Sequence, residues 1–323
     1  MSDVKKPFLL AIVGSTASGK SRMAVRLAKE LNGEVISCDS MQIYRRMNIG
    51  TAKPTAEEME GIPHHLIDFA DPDVSFSSAD YVAEAKRVIE DVVSRGKLPI
   101  LCGGTGLYLE RLLYGGGDAE EAEPNDIIRK KWRAYCEKYG NHALLDRLCE
   151  VDRESASAIH QNNVHRVIRA LEIFETTGIP KSEWDRRSRE RESDYAFCVV
   201  GLRYGSRELL YDRINRRVDV MMESGLLEET KSLLVEGVFA RNSTAAQAIG
   251  YKELLTYFGG EESLAEAVER LKTATRRYAK RQITWFSAKP YVCWVDADAE
   301  GRMRAEEEIL SDILARIEDA KNH

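Results

Sequence analysis

Eight consecutive residues carry the densest chemistry in the chain: Gly14, Ser15, Thr16, Ala17, Ser18, Gly19, Lys20 and Ser21. They fit the phosphate-binding pattern G-x-x-x-x-G-K-[ST]. In that pattern loop amides surround a phosphate, the lysine adds a point charge and the hydroxyl offers a Mg²⁺ ligand. Taken alone, the loop suits a nucleotide such as ATP as well as any other phosphorylated molecule. Asp39 ends the apolar run Val35-Ile36-Ser37-Cys38, and three readings compete for it: Mg²⁺ ligand, general base or turn cap. Thr105 follows the glycine turn Gly103-Gly104; it either caps the next helix or donates a hydrogen bond to a departing phosphate oxygen. Arg213 and Arg217 share a helix face at i, i+4, as a solvated stripe or as a planar clamp on phosphate. His64, His65, His160 and His165 lack metal-site spacing and read as polar contacts.

The elements that must hold these groups alternate strand and helix, as a parallel α/β sheet requires. Strands are expected at 8–13, 34–38, 65–68 and 98–102, then at Tyr195–Leu202 and Tyr291–Val295. The loop sits between the run Phe8–Val13 and an amphipathic helix carrying Met23, Ala24, Leu27, Ala28 and Leu31. A second helix runs from Ser78 to Arg95, with Tyr81, Ala85, Val88 and Val92 at core spacing and Gly96 at its end. The expected fold class is α/β: a P-loop NTPase-like core with a central parallel sheet flanked by helices, plus an all-helical insertion. The core would occupy 1–117 and 195–323, and the insertion 118–194. Gly115-Gly116-Gly117 and the acidic run Asp118–Glu123 read as a flexible junction. Within the insertion, Val164, Val167, Ile168, Leu171 and Phe174 repeat at helical spacing behind a cap at Asn162 or Asn163. A polar amphipathic helix is expected from Ala305 to Ala320.

Composition narrows the function classes. The chain has 323 residues, 43% hydrophobic and 31% charged, ordinary values for a soluble globular protein. No apolar run is long enough to span a bilayer, and no small-residue cleavage site follows the first apolar run. The six scattered cysteines show no C-x-x-C pair and read as reduced thiols, which makes the cytoplasm the expected compartment. A net charge of −6 argues against indiscriminate nucleic-acid binding but leaves room for a local basic surface. Arg186–Arg191 and Arg276–Arg281 are concentrated positive segments; each is a solvated helix face or a nucleic-acid contact.

Together these pieces resemble the tRNA dimethylallyltransferase (tRNA isopentenyltransferase) family. The resemblance is carried in order by Gly14–Ser21, Asp39–Tyr44, Ile49–Pro54, Pro63–Leu66, Gly103–Tyr108, His165–Glu172, Ile249–Tyr251 and Lys280–Phe286. It implies transfer of a dimethylallyl group from its diphosphate to the exocyclic amine of the adenosine just 3′ of the anticodon. Asp39 is then the general base, and Thr105 the donor to the bridging oxygen. Gly14 to Ser21 and Arg217 hold the donor diphosphate, and Ser21 is a ligand of the Mg²⁺ cofactor. The implied tRNA surface comprises Asp39, Ser40, Met41, Gln42 and Thr105, then Val164, His165, Arg166, Val167 and Ile168. It continues through Ala248, Ile249, Gly250, Tyr251, Lys252 and Glu253. Lys280, Arg281, Gln282, Ile283, Thr284, Trp285, Phe286 and Ser287 complete it. Tyr251, Trp285 and Arg281 suit base stacking and phosphate contact, and the insertion would grip the anticodon stem. The partners implied are tRNA and dimethylallyl diphosphate, with no membrane and a monomeric enzyme. Ser15 stands where relatives often carry proline. The lack of a C-terminal cysteine/histidine cluster fits the bacterial type. The rivals are a P-loop nucleotide or small-molecule kinase, an adenylate isopentenyltransferase, and an RNA-binding module with a relic loop.

Overall fold

Residues 6–115 and 125–322 are described by a computed structural model. Most of the expected junction, Gly116 to Glu123, lies outside the described residues. Contacts divide the chain into one unit made of Met1–Leu109 and Tyr195–His323 and another made of Glu110–Asp194.

The first unit is built on a six-stranded sheet. Its strands are β1 (Phe8–Gly14), β2 (Gly33–Ser37), β3 (His64–His65), β4 (Leu98–Gly103), β5 (Ala196–Arg203) and β6 (Val292–Asp296). Their order is β3-β2-β4-β1-β5-β6, and every neighbouring pair is parallel. β1, β2 and β4 are buried almost throughout, which explains the apolar runs of β1 and β4, while β2 carries buried Glu34 and Ser37 beside Val35 and Ile36. Leu10, Ile12, Val35 and Val200 pack with Leu27 of the Lys20–Glu30 helix and Ile313 of the Glu306–Asn322 helix. The expected strand at 65–68 stops after His65, because Leu66 and Asp68 take positive φ of 56° and 55° and leave the extended region. His64 Nδ1 sits 2.8 Å from the Ile62 carbonyl, and His65 Nε2 2.7 Å from Glu34 Oε2. The remaining strands fall where the apolar runs put them. The 78–95 helix spans Ser78–Ser94 behind a Ser77–Asp80 capping box, with Gly96 at φ 68° beyond it.

From β1 the chain passes to β2 on the β4 side, and after β4 it crosses to β5 on the other side of β1. That reversal opens a crevice at the carboxyl ends of the strands, the site where ligands collect in open α/β sheets.

The second unit is helical. Asp126–Val151, Arg153–Ala158, Val164–Thr177 and Lys181–Glu190 close on Trp132, Leu144, Leu148, Val167 and Leu171. Gly140, at φ 87° and ψ 167°, breaks the first of them. Asn163 is the N-cap of the Val164–Thr177 helix, but its side chain makes no capping bond. The Asn162 side chain instead accepts from Asn141 Nδ2. Buried Glu172 accepts from the Asn125 amide and pairs with Arg129 and Arg169, so the charge needed inside this unit is matched.

Candidate active site

The phosphate-loop sequence runs from the end of β1 into the Lys20–Glu30 helix. Gly14 and Gly19 have φ of 148° and 90°, and a Cβ at Gly14 would meet the Leu202 carbonyl oxygen at 2.7 Å. Ala17 takes φ 61° without glycine's freedom, and its carbonyl is held by Arg213 Nε at 2.9 Å. The helix begins on Gly19 with no side-chain cap, so its first amides keep their donors for a ligand. Two loop amides are already used within the protein. Thr16 N donates to Gln282 Oε1 at 2.8 Å, and Ser18 N to the Ser15 carbonyl at 3.3 Å.

Lys20 and Arg217 line one cleft of about 280 Å³ with Thr16, Ser21, Asp39 and Arg281. Burial pulls the Lys20 ammonium and the Arg217 guanidinium below their ordinary values, Asp39 acting in the opposite sense on both. The Lys20 Nζ donates, among the described residues, only to the Ser15 carbonyl, at 3.2 Å. Among the described residues neither cation has a carboxylate in an ion pair. Two desolvated positive charges without a partner are costly, and an anion of two or more charges relieves both. Arg213 and Arg217, one helical turn apart, thus divide their work: Arg213 braces the loop from behind, and Arg217 faces the cleft.

Asp39 stands at the carboxyl end of β2. Its Oδ1 accepts from Met41 N at 2.9 Å and Gln42 N at 3.3 Å, so the turn-cap reading is realised by one oxygen. Oδ2 has no partner among the described residues and remains for chemistry. Thr105 does not cap its own helix; Oγ1 accepts from Ser40 N at 3.1 Å and ties the Gly103-Gly104 turn to the Asp39 turn. Gly103 permits this approach, since a Cβ there would lie 2.0 Å from the Cys38 carbonyl oxygen.

Of the residues expected to meet RNA, Ser40, Met41, Gln42, Ala248, Ile249, Gly250, Lys252, Arg281 and Gln282 line this cleft with Asp39. Lys280, Arg281, Thr284 and Ser287 are exposed on the Leu264–Ser287 helix, with Arg281 over the Tyr278 ring at 5.5 Å. Tyr251 must be corrected: it is fully buried, its hydroxyl donates to Glu229 Oε1 at 2.7 Å, and it offers no face for a base. Phe286 and Glu253 are likewise buried and pack under the surface, while Trp285 lies against Gly106 and is half-buried. In the helical unit His165 and Arg166 are exposed, whereas Val167 and Ile168 belong to its core. Arg186 and Arg187 of the basic segment both pair with Glu183.

Three functional roles escaped the sequence reading, which places Gln282 only on the tRNA surface. Gln282 is a brace, donating to the Gly104 carbonyl at 3.1 Å while it accepts from Thr16. Glu229 gathers the amides of Asn48, Ile49 and Gly50 together with the Tyr251 hydroxyl, fixing the loop whose Thr51 and Ala52 carbonyls hold the Gln42 amide. Tyr278 lines the cleft one helical turn from Gln282. The IGTAKP spacing pointed at the loop, but no local signal pointed at Glu229.

A model of the IPP transferase family matches residues 42–289. The tRNA dimethylallyltransferase of Caldanaerobacter subterraneus is 50% identical over 90% of this chain and 92% of its own. That of Bacillus subtilis is 47% identical over 98% and 100%. Among solved structures, the Bacillus halodurans tRNA isopentenylpyrophosphate transferase superposes with a TM-score of 0.69 at 46% identity, covering 98% of this chain and 99% of its own. A eukaryotic dimethylallyltransferase acting on tRNA gives 0.81 at 31% identity, covering 97% of this chain and 80% of its own.

Proposed function

Because the chain belongs to the IPP transferase family, we propose that it is a tRNA dimethylallyltransferase using dimethylallyl diphosphate. The acceptor is the exocyclic amine of the adenosine 3′ to the anticodon. The observation that carries the reading is the pair of desolvated cations, Lys20 and Arg217, without a carboxylate in an ion pair among the described residues, in one cleft with Asp39.

In the reaction the allylic carbon–oxygen bond breaks, and its electron pair leaves with the diphosphate. A nitrogen–carbon bond forms, and the amine proton passes to the Asp39 carboxylate. The amine lone pair is delocalised into the adenine ring, so a carboxylate that removes its proton assists; such help is worth roughly 10²–10⁴-fold. Charge growing on the leaving diphosphate meets Lys20, Arg217 and the open amides of the Lys20–Glu30 helix. Thr105, with Oγ1 already accepting from Ser40, has its hydroxyl proton left for the bridging oxygen. Ser21 fits a Mg²⁺ site: its hydroxyl is a hard oxygen in the cleft, a single protein ligand of the kind Mg²⁺ takes when phosphates and waters complete its shell. Bound there, Mg²⁺ would neutralise diphosphate charge. An anticodon loop lets the target base leave its stack cheaply, as entry into a cleft requires.

The tRNA contact is built from Ser40 to Gln42, Ala248 to Lys252 and the exposed cations Lys280 and Arg281, with His165 and Arg166 of the helical unit as stem contacts. Among the described residues no helix is long and apolar enough to cross a membrane. We place the enzyme in the cytoplasm as a monomer. The test is mass spectrometry of tRNA incubated with the donor and Mg²⁺. The expected result is one dimethylallyl mass increment on the adenosine after the anticodon. No increment, alongside ATP-dependent phosphorylation of a small acceptor, would replace this reading with a kinase.

A further inference from the structure

The two helices that cross the cleft set a ruler along it. Asn215 Oδ1 accepts from Arg276 Nη1 at 2.6 Å, and Asp219 pairs with Lys272 at 2.7 Å. Numbers rise on the Arg207–Glu223 helix as they fall on the Leu264–Ser287 helix, so the pair is antiparallel. Near the phosphate loop, Leu210, Ile214 and Ala279 cluster with Ala17. Arg213 touches the Ala17 carbonyl, and Gln282 the Thr16 amide. Each four-residue step rises about 6 Å. Arg217 therefore stands one step beyond the loop at the level of Thr275, and Met221 one step further at the level of Leu271.

All four of those residues line the cleft, and its chemistry changes along the ruler. Lys20 and Arg217 mark the loop end, while Val218, Met221 and Leu271 form an apolar wall beyond them, with Lys252 also in the lining. Val218 and Leu271 are fully buried in the core cluster that continues behind them, and Met221 is only half-buried against it. Met221 is thus the side chain whose size can change with least damage to packing.

We propose that Met221, backed by Leu271, is the chain-length gate of the donor site, stopping an allylic diphosphate at five carbons. This rests on the donor reading given above. With the diphosphate between Lys20 and Arg217, a five-carbon tail extends about 5 Å, close to one four-residue step, and its methyl groups meet the thioether. A ten-carbon tail collides with it. The bonds made and broken are the same for either donor, so the gate acts by shape alone. Methionine fills such irregular apolar space well.

The experiment compares dimethylallyl and geranyl diphosphates, with an anticodon stem-loop as acceptor, in the full-length protein and in Met221→Ala. The wild type transfers the shorter group far faster than the longer one. In the variant the kcat/KM ratio of geranyl to dimethylallyl rises roughly ten- to hundredfold. A ratio unchanged within twofold, with the variant folded, overturns the gate and leaves the enzyme reading intact. A wild type that transfers neither group overturns the enzyme reading and the gate with it. Met221→Trp decides the matter if the alanine variant does not fold. It lowers kcat/KM for dimethylallyl diphosphate at least about tenfold, while inhibition by inorganic diphosphate stays within about twofold of wild type. An equal loss of diphosphate inhibition would place Met221 at the phosphate end and overturn the proposal.

Discussion

The two edges of the same sheet treat charge in opposite ways. At the amino-terminal edge, Glu34 of β2 is almost fully buried and matched on every side. Arg95 holds both its oxygens, the Nη2 bond measuring 2.7 Å, and His65 Nε2 lies 2.7 Å away. Arg95 in turn donates to Asp91 at 2.9 Å and 3.1 Å. At the carboxyl-terminal edge, Lys20 and Arg217 are desolvated with no carboxylate in an ion pair among the described residues. Matched charges there would stabilise the empty protein and compete with the ligand. The difference locates function: one edge closes its electrostatics for the fold, and the other leaves them open for an anion.

The largest expected effect falls on the open edge. Asp39→Asn keeps an oxygen to accept from the Met41 and Gln42 amides but removes the base. Single-turnover transfer should fall roughly 10²–10⁴-fold, with thermal stability and donor affinity near wild type. Collapse of donor affinity instead would make Asp39 a metal or structural residue.

At the closed edge the same kind of change should cost stability instead. Glu34→Gln replaces a buried carboxylate by a neutral amide and weakens its charge-assisted bonds from Arg95, which keeps Asp91 as an exposed partner. The expected loss is about 2 kcal/mol in denaturant unfolding, with donor KM unchanged. The pH dependence has a definite sign. Arg95, then His65, hold the Glu34 carboxyl down at about 2 against an ordinary 4.5. Its contribution is therefore complete above pH 4.5 and drains away as pH falls toward 2, and this acid-side slope should vanish in the variant. A wild-type slope in Glu34→Gln would remove Glu34 from the comparison.

Lys20→Met returns to the open edge with a smaller effect. Donor KM should rise roughly 10–100-fold, the worth of a charge-assisted hydrogen bond. Unfolding should show no loss of stability and even a gain, since a desolvated unpaired charge disappears. Marked destabilisation would mean that the ammonium is matched after all, and the contrast between the edges would fail.

The sequence made these edges unequally legible. Gly14–Ser21 is contiguous, so strand, loop and helix could be read from spacing, and the alternation of strands with helices declared a parallel sheet flanked by helices. Side-chain partners were different. Gln282 reaches Thr16 across 266 positions, and Glu229 reaches Gly50 across 179. Neither has a periodic signature, because a single long-range hydrogen bond imposes no pattern on its neighbours. Tyr251 was misjudged for the same reason. The family resemblance put this aromatic on the tRNA surface, where it would suit stacking, and only the fold reveals the Gly50 backbone and Glu229 closing over it. Arg213 and Arg217 were legible as a pair but not as two roles, since which of them faces the cleft depends on where the loop meets their helix.

That division of roles supplies the finest test. Arg217→Lys keeps the charge in the cleft but exchanges a planar fork for a point. If the guanidinium grips two diphosphate oxygens at once, the variant loses one hydrogen bond and its geometry, and donor KM should rise several-fold, about 1 kcal/mol. Arg217→Gln, which removes the charge as well, should cost at least as much as Lys20→Met. Were lysine fully to replace arginine at this position, the open edge would be acting through net charge alone. The contrast with the Glu34–Arg95 pair, where geometry and charge act together, would then narrow to a difference in charge balance.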